Sequence, residues 1–153
     1  LLALEAADFD LGAGTVSITK SCTRLHGEDL LLPPKTPKSR RVIWLPEFLC
    51  ARLAPWLEAH PQGRIFPVTK HYLYHEMERG CRESGVEKIR IHDLRHSHAS
   101  FLIEEGFSPL LIAQRLGHES VQTTLEIYAH LYPNKHAQVA RRIEEYVAAH
   151  GEK

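Results

Sequence analysis

Ile91-His92-Asp93-Leu94-Arg95-His96-Ser97-His98-Ala99-Ser100 is the densest chemical feature of the chain, and Leu116-Gly117-His118 comes after it, with Tyr128 ten residues beyond His118. His92 and Arg95 are three apart, so on a helix they project from the same side. A guanidinium presents a planar fork of N–H donors matched to two phosphate oxygens. An imidazole beside it can donate a hydrogen bond or carry a proton near neutral pH. Each residue also has a plain structural reading. A helix start rich in His and Arg is commonly surface. Tyr128 lies on the stripe Val121, Leu125, Tyr128, as a core aromatic would. His118, just past a glycine, reads equally as a loop residue. His92 and His96 stand at the i, i+4 spacing of a two-histidine metal face. There is no Glu beside the first His, however, and Arg95 between them repels a divalent cation, so His96 is expected to point inward as a packed residue and no metal is assigned.

Working outward, helix signals dominate. Ser108-Pro109 places a cap before a first-turn proline, and Gly117 is a natural stop. Ser120 caps a helix from Val121 to about His130, and after Pro133 an amphipathic helix reaches about Ala149. On the other side, helices are predicted over His92 to Glu105, ended by Gly106, and over Lys70 to Glu83, stopped near Gly85. Another begins at Glu47, where Phe48, Leu49, Leu53 and Leu57 repeat near 3.6 until Pro61-Gln62-Gly63 breaks the run. Arg64-Ile65-Phe66 reads as a brief extended piece.

The first third differs. Leu1 to Ala6 reads as a helix end, and Ala7 to Asp10 as the turn after it. Thr15 to Thr19 alternates β-branched and small residues in the manner of a strand. Leu30-Leu31-Leu32 and Val42-Ile43-Trp44-Leu45 are short apolar runs closed by prolines, and the polar, turn-rich Lys35 to Arg41 lies between them. The expectation is one domain, mainly α with a small antiparallel β-sheet (α+β). The sheet and a basic hairpin tip occupy about 14–46, and the helical part about 47–149. No internal repeat or low-complexity segment is present.

Composition sets bounds. The chain has 153 residues, 43% apolar and 25% charged, with 19 basic and 19 acidic side chains and a net charge of zero. One compact core is possible at this size. No apolar run approaches the roughly 20 residues that span a bilayer, and no signal peptide is read at the start. Cys22, Cys50 and Cys81 have no paired spacing, which fits a reducing, cytoplasmic setting rather than a zinc knuckle or disulfide framework. Zero net charge counts against nucleic acid, since duplex binders usually carry a positive footprint. The distribution counts the other way: Lys20, Arg24, Lys35, Lys38, Arg40 and Arg41 face only Glu28 and Asp29 between Lys20 and Arg41.

Together, His92-x-x-Arg95, Leu116-Gly117-His118, Tyr128 and the upstream Lys35-Thr36-Pro37-Lys38-Ser39-Arg40-Arg41-Val42-Ile43 stretch resemble the tyrosine recombinase (phage-integrase) family in type, order and spacing. Leu1 to Asp10 resembles the segment directly after that family's first arginine motif. The Leu94 to Ser100 variant looks especially like integrases of phages and conjugative transposons. The resemblance implies the catalytic-domain fold of that family and site-specific recombination of double-stranded DNA. Tyr128 would attack a phosphodiester, leaving a 3′-phosphotyrosyl link and a free 5′-hydroxyl, with no cofactor. It implies Arg95 on the nonbridging oxygens and His118 donating to one of them. His92 would assist proton transfer at the tyrosine. Lys35, or Lys38 if the tip is shifted, would protonate the departing oxygen. Lys38, Arg40, Arg41 and Arg90 are candidates for DNA-backbone contact. The family's first catalytic arginine would fall before Leu1, as would its DNA-gripping N-terminal domain, so the resemblance implies a catalytic-domain fragment with little activity alone. The apolar stripe Ala140, Ile143, Val147 would dock on a neighbouring subunit of a tetramer or pack on its own domain. A type IB topoisomerase and a DNA-binding remnant without cleavage are the competing readings.

Overall fold

A computed structural model describes residues 1–34, 36, 39–132 and 136–150. Its strands are β1 (Phe9–Asp10), β2 (Thr15–Ile18), β3 (Ser21–Leu25), β4 (Glu28–Leu32) and β5 (Arg41–Trp44). They precede helices α1 (Glu47–Ala59), α2 (Lys70–Ser84), α3 (Asp93–Glu104), α4 (Pro109–Leu116), α5 (Val121–Tyr128) and α6 (His136–His150). This is the mainly helical α+β architecture read from the sequence.

The strand pairing departs from expectation. β2 is the centre of an antiparallel β1-β2-β5 sheet, with Val16 opposite both Phe9 and Ile43. β3 and β4 form a separate two-stranded ribbon in which Leu25 pairs with Glu28. The runs Leu30–Leu32 and Val42–Leu45 therefore have different partners and belong to different sheets, so they are not the two arms of one hairpin. Ser21–Leu25 lacks an apolar face, so alternation does not mark it as a strand. Its signal is His26-Gly27, where both residues take positive φ (49° and 87°), as a tight two-residue hairpin of type I′ demands. Of the expected basic tip, Lys35, Pro37 and Lys38 lie outside the described residues. The Ser39 amide donates to the Thr36 carbonyl (3.1 Å).

Leu1 to Ala6 is not a helix end. The Ile65 amide donates to the Leu4 carbonyl (2.9 Å), and Glu5 bridges antiparallel to Arg64, so the extended piece expected at Arg64–Phe66 pairs here. A 3₁₀ turn comes next at Ala6–Asp8, where Asp8 Oδ2 accepts from the Glu5 amide (2.8 Å). That capping removes the donor a continuing α-helix would need.

The helical boundaries obey their stop signals. Thr69 caps α2, Ser108 caps α4 and Ser120 caps α5 with side-chain hydrogen bonds, while Gly85 and Gly117 end α2 and α4 in the left-handed region. Ala99, Leu102 and Ile103 of α3, Ile112 and Leu116 of α4, and Tyr128 of α5 form the buried cluster against which Tyr132 packs. The three helices that carry the chemically suggestive residues are thus held by one core. α6 stands apart, with no buried residue.

Candidate active site

Arg95 sits on the first turn of α3. Asp93 secures that turn by accepting from the Arg90 amide (2.9 Å) and pairing with the Arg90 guanidinium (2.8 Å). This contact holds the Asp93 carboxyl down to about 2. Arg90, a candidate for DNA contact, is therefore engaged in starting α3, though most of its side chain remains exposed.

Half-buried, Arg95 makes no hydrogen bond or ion pair among the described residues. With His92 it lines a cavity of about 660 Å³ that also touches Leu1, Lys20 and Lys70. Burial lowers its affinity for its proton, and the same is true of Arg41, on which Arg95 adds its own repulsion. The two guanidiniums repel one another there, with no carboxylate partner among the described residues.

Arg41 reaches that position by threading beneath the end of α4. Its Nε–H donates to the Arg115 carbonyl (2.9 Å) and its Nη1 donates to the Ser39 carbonyl (2.9 Å). Gly117 makes room for it: a Cβ there would lie 2.6 Å from Arg41 Nη1, and the residue has φ of +72°. The Leu-Gly-His triplet thus needs glycine for conformation and for space. Past the glycine, the His118 amide donates to the Ala113 carbonyl (2.9 Å), fixing the turn that presents the imidazole.

His118 Nδ1 lies 2.7 Å from Thr124 Oγ1. Burial, then the positive charges of Arg95 and Arg41, push the His118 ring below the ordinary imidazole range. Thr124 is fully buried and lies one turn before Tyr128 on α5. The Tyr128 ring is buried in the core cluster, and its hydroxyl lies 2.7 Å from His96 Nδ1. Burial raises the phenol above its usual value, and the Arg95 charge works against that rise.

Arg95, His118 and Tyr128 therefore converge. His92 joins through His96, their rings edge-to-face at 5.0 Å, and it shares the cavity with Arg95. Arg41, expected only as a backbone contact, is inside the cluster, while Arg40 is exposed. Lys35 and Lys38 lie outside the described residues. Sequence reasoning missed His96 and Thr124 as site residues. Their signals were positional: His96 adjoins Arg95 and stands one turn from His92, and Thr124 shares a helix face with Tyr128 at i, i+4. Among the described residues no group of three or more His, Cys, Asp or Glu side chains is arranged to hold a metal ion.

The core of α3, α4 and α5 thus brings Arg95, His96, His118 and Tyr128 into one cluster, and Arg95 and His92 line an open cavity. The chain belongs to the phage integrase family, whose sequence profile matches residues 1–135. It is 33% identical to the ICEBs1 integrase of Bacillus subtilis (strain 168), over 95% of this chain and 44% of that protein. It is also 33% identical to the integrase of Staphylococcus phage L54a, over 96% of this chain and 48% of that protein. The chain thus spans less than half the length of these relatives. In fold it resembles the Tn1549 transposon integrase, solved in complex with a circular intermediate DNA, with a TM-score of 0.74 at 18% identity over 95% of this chain and 52% of that one. Among the described residues no helix is long and apolar enough to cross a membrane.

Proposed function

We propose that this domain is the DNA-cleaving and rejoining unit of a site-specific recombinase acting on double-stranded DNA, with Tyr128 as nucleophile. The observation that carries the reading is the half-buried Arg95 guanidinium, unpaired beside Arg41 and next to the Tyr128 hydroxyl. Two adjacent cations without a carboxylate call for an external anion, and a phosphodiester supplies two nonbridging oxygens for the Arg95 fork. The Tyr128 oxygen forms a bond to phosphorus as the bond to the 5′ oxygen breaks, and the strand keeps a 3′-phosphotyrosyl link. Lys35 gives the 5′ oxygen its proton, with Lys38 as the alternative donor. With His118 neutral, the tautomer in which the Thr124 hydroxyl donates to Nδ1 leaves Nε2–H to donate to a nonbridging oxygen. Preorganised donors of this kind typically contribute about 10²–10³ in rate each.

The integrase relatives support recombination over supercoil relaxation. A longer recombinase carrying this domain, mixed with duplex from the ends of its own element, is expected to yield a covalent protein–DNA band that Tyr128→Phe abolishes. An undiminished band in Tyr128→Phe overturns the assignment. Salt-sensitive duplex binding with no adduct in that longer protein points to a binding remnant.

α6 supports self-association. Val139, Ile143, Tyr146 and Val147 are each more than half exposed, an apolar face with no cover from its own domain among the described residues. A second copy of the recombinase covers it in the assembly on DNA, in the cytoplasm of a bacterial host. Sedimentation with and without residues 135–153 tests this; a monomer in both cases removes the idea.

A further inference from the structure

The imidazole that touches the nucleophile is not the one the motif points to. His96 Nδ1 is 2.7 Å from the Tyr128 hydroxyl, whereas among the described residues His92 has no hydrogen bond to it, and its ring meets the His96 ring edge-on. The contact is rigidly placed. Tyr128 is fixed by the α3–α4–α5 core, and Ala99, on the next turn of α3 after His96, is completely buried in the same cluster. We infer that His96 is a catalytic residue that accepts the Tyr128 proton at Nδ1 as the phenol oxygen attacks phosphorus, with His92 a positioning residue behind it. This rests on the proposed reading of Tyr128 as nucleophile and names the base that reading leaves open.

The step balances without a further reactant. The Tyr128 O–H bond breaks and its proton moves to His96 Nδ1. The O–P bond forms, the P–O5′ bond breaks, and the 5′ oxygen takes a proton from a separate acid. In rejoining, His96 returns its proton to the departing phenolate. Asp93 lies on the same helix, one turn before the ring. From the other elements, His118 after α4 and Tyr128 on α5 face the ring. His118 is held neutral by its burial and the neighbouring guanidiniums, so it adds little repulsion. Acceptance requires the tautomer with a bare Nδ1 and a proton on Nε2. The opposite tautomer would donate to the tyrosine and leave its proton nowhere to go.

The tautomer is a direct test that needs no DNA and no activity. In the ¹⁵N-labelled 153-residue chain at neutral pH, long-range proton–nitrogen spectra are expected to show His96 Nδ1 unprotonated and Nε2 protonated. Tyr128→Phe should shift that Nδ1 resonance more than any other imidazole nitrogen. A protonated Nδ1 overturns the inference while leaving Tyr128 free to be the nucleophile. In the longer recombinase, His96→Asn keeps a polar atom near the Nδ1 position but accepts no proton. It is expected to slow single-turnover adduct formation by about 10²-fold or more and to remove the acid limb of the pH–rate profile, with DNA binding retained. His92→Asn should slow the reaction less and keep that limb. A wild-type rate in His96→Asn, or loss of the limb in His92→Asn instead, overturns it. An adduct that survives Tyr128→Phe sinks the underlying reading.

Discussion

Replacing Gly117 by alanine separates two physical effects that the turn combines. Gly117 and Gly85 both end helices with nearly equal positive φ (+72° and +71°), but only Gly117 has a neighbour in the way, Arg41 Nη1 at 2.6 Å from a built Cβ. Gly85→Ala is therefore a control for backbone strain alone, about 1–2 kcal/mol for an L-residue in that region. Gly117→Ala adds the displacement of Arg41. Its Nη1 must retreat from the Ser39 carbonyl, and a hydrogen bond from a charged donor is worth roughly 1.5–3 kcal/mol. The sum is about 2.5–5 kcal/mol. At about 3 °C per kcal/mol for a domain of this size, Tm should fall about 3–6 °C in Gly85→Ala and about 8–15 °C in Gly117→Ala. Thermal melts monitored by circular dichroism measure both. A double-mutant cycle isolates the clash: in an Arg41→Ala background, Gly117→Ala should cost only the strain of the Gly85 control. Equal losses at the two glycines, or an unchanged cost of Gly117→Ala once Arg41 is gone, would refute the idea that this glycine exists to admit the guanidinium.

Thr124→Val removes the hydroxyl that orients His118 while keeping the buried volume. Adduct formation in the longer recombinase should fall at least about 10-fold with little loss of DNA binding, and an unchanged rate would show that His118 needs no orienting partner. The Lys35 role is tested with a 5′-bridging sulfur in place of oxygen at the scissile phosphate, since a thiolate departs without a proton. Lys35→Ala should be slow on the oxygen substrate and near normal on the sulfur one; rescue of Lys38→Ala instead moves the role to Lys38. The lowered values of His98 and His118, each due first to burial and then to neighbouring arginines, set the sign of a pH effect. Below the ordinary imidazole value of 6.5 the unfolded chain binds protons that the folded one refuses, so stability falls as pH drops from about 7 toward 5. Urea midpoints across that window should decline, and His98→Asn and His118→Asn should flatten the slope; a midpoint that rises on acidification contradicts the burial argument.

What the sequence disclosed and what it hid divide along a physical line. Caps and stops are local, so Ser108, Ser120, Gly85 and Gly117 could be read directly, and the helices obey them. The Arg95, His118 and Tyr128 convergence was legible only through resemblance, because no periodicity says that three separate helices share one core. β3 was invisible since Ser-Cys-Thr-Arg-Leu carries no buried face, and its pairing is dictated by the His26-Gly27 turn. Leu1 to Ala6 has helical composition, yet its backbone hydrogen bonds go to Ile65 and Asp8, partners that composition cannot announce. His96 could not be told from a packed core histidine, because the tyrosine it meets lies 32 residues away in sequence.

Zero net charge, which argued against a nucleic-acid partner, averages over cations in two different states. Lys20 is paired with Glu5 and Asp8, Arg64 with Asp29, Arg79 with Glu76, Lys88 with Glu78, Arg90 with Asp93 and Arg141 with Glu145. Their fields are largely cancelled within a few ångströms by their own acids. Arg41 and Arg95 have no such partner among the described residues, and each lies half-buried where solvent screens it less. Among the described residues none of the acids that bring the total to zero pairs with either of these two guanidiniums. An anion that reaches Arg95 and Arg41 meets two guanidiniums with no ion-pair partner among the described residues. The sum of charges speaks to long-range attraction; the site depends on which charges the fold has left unmatched.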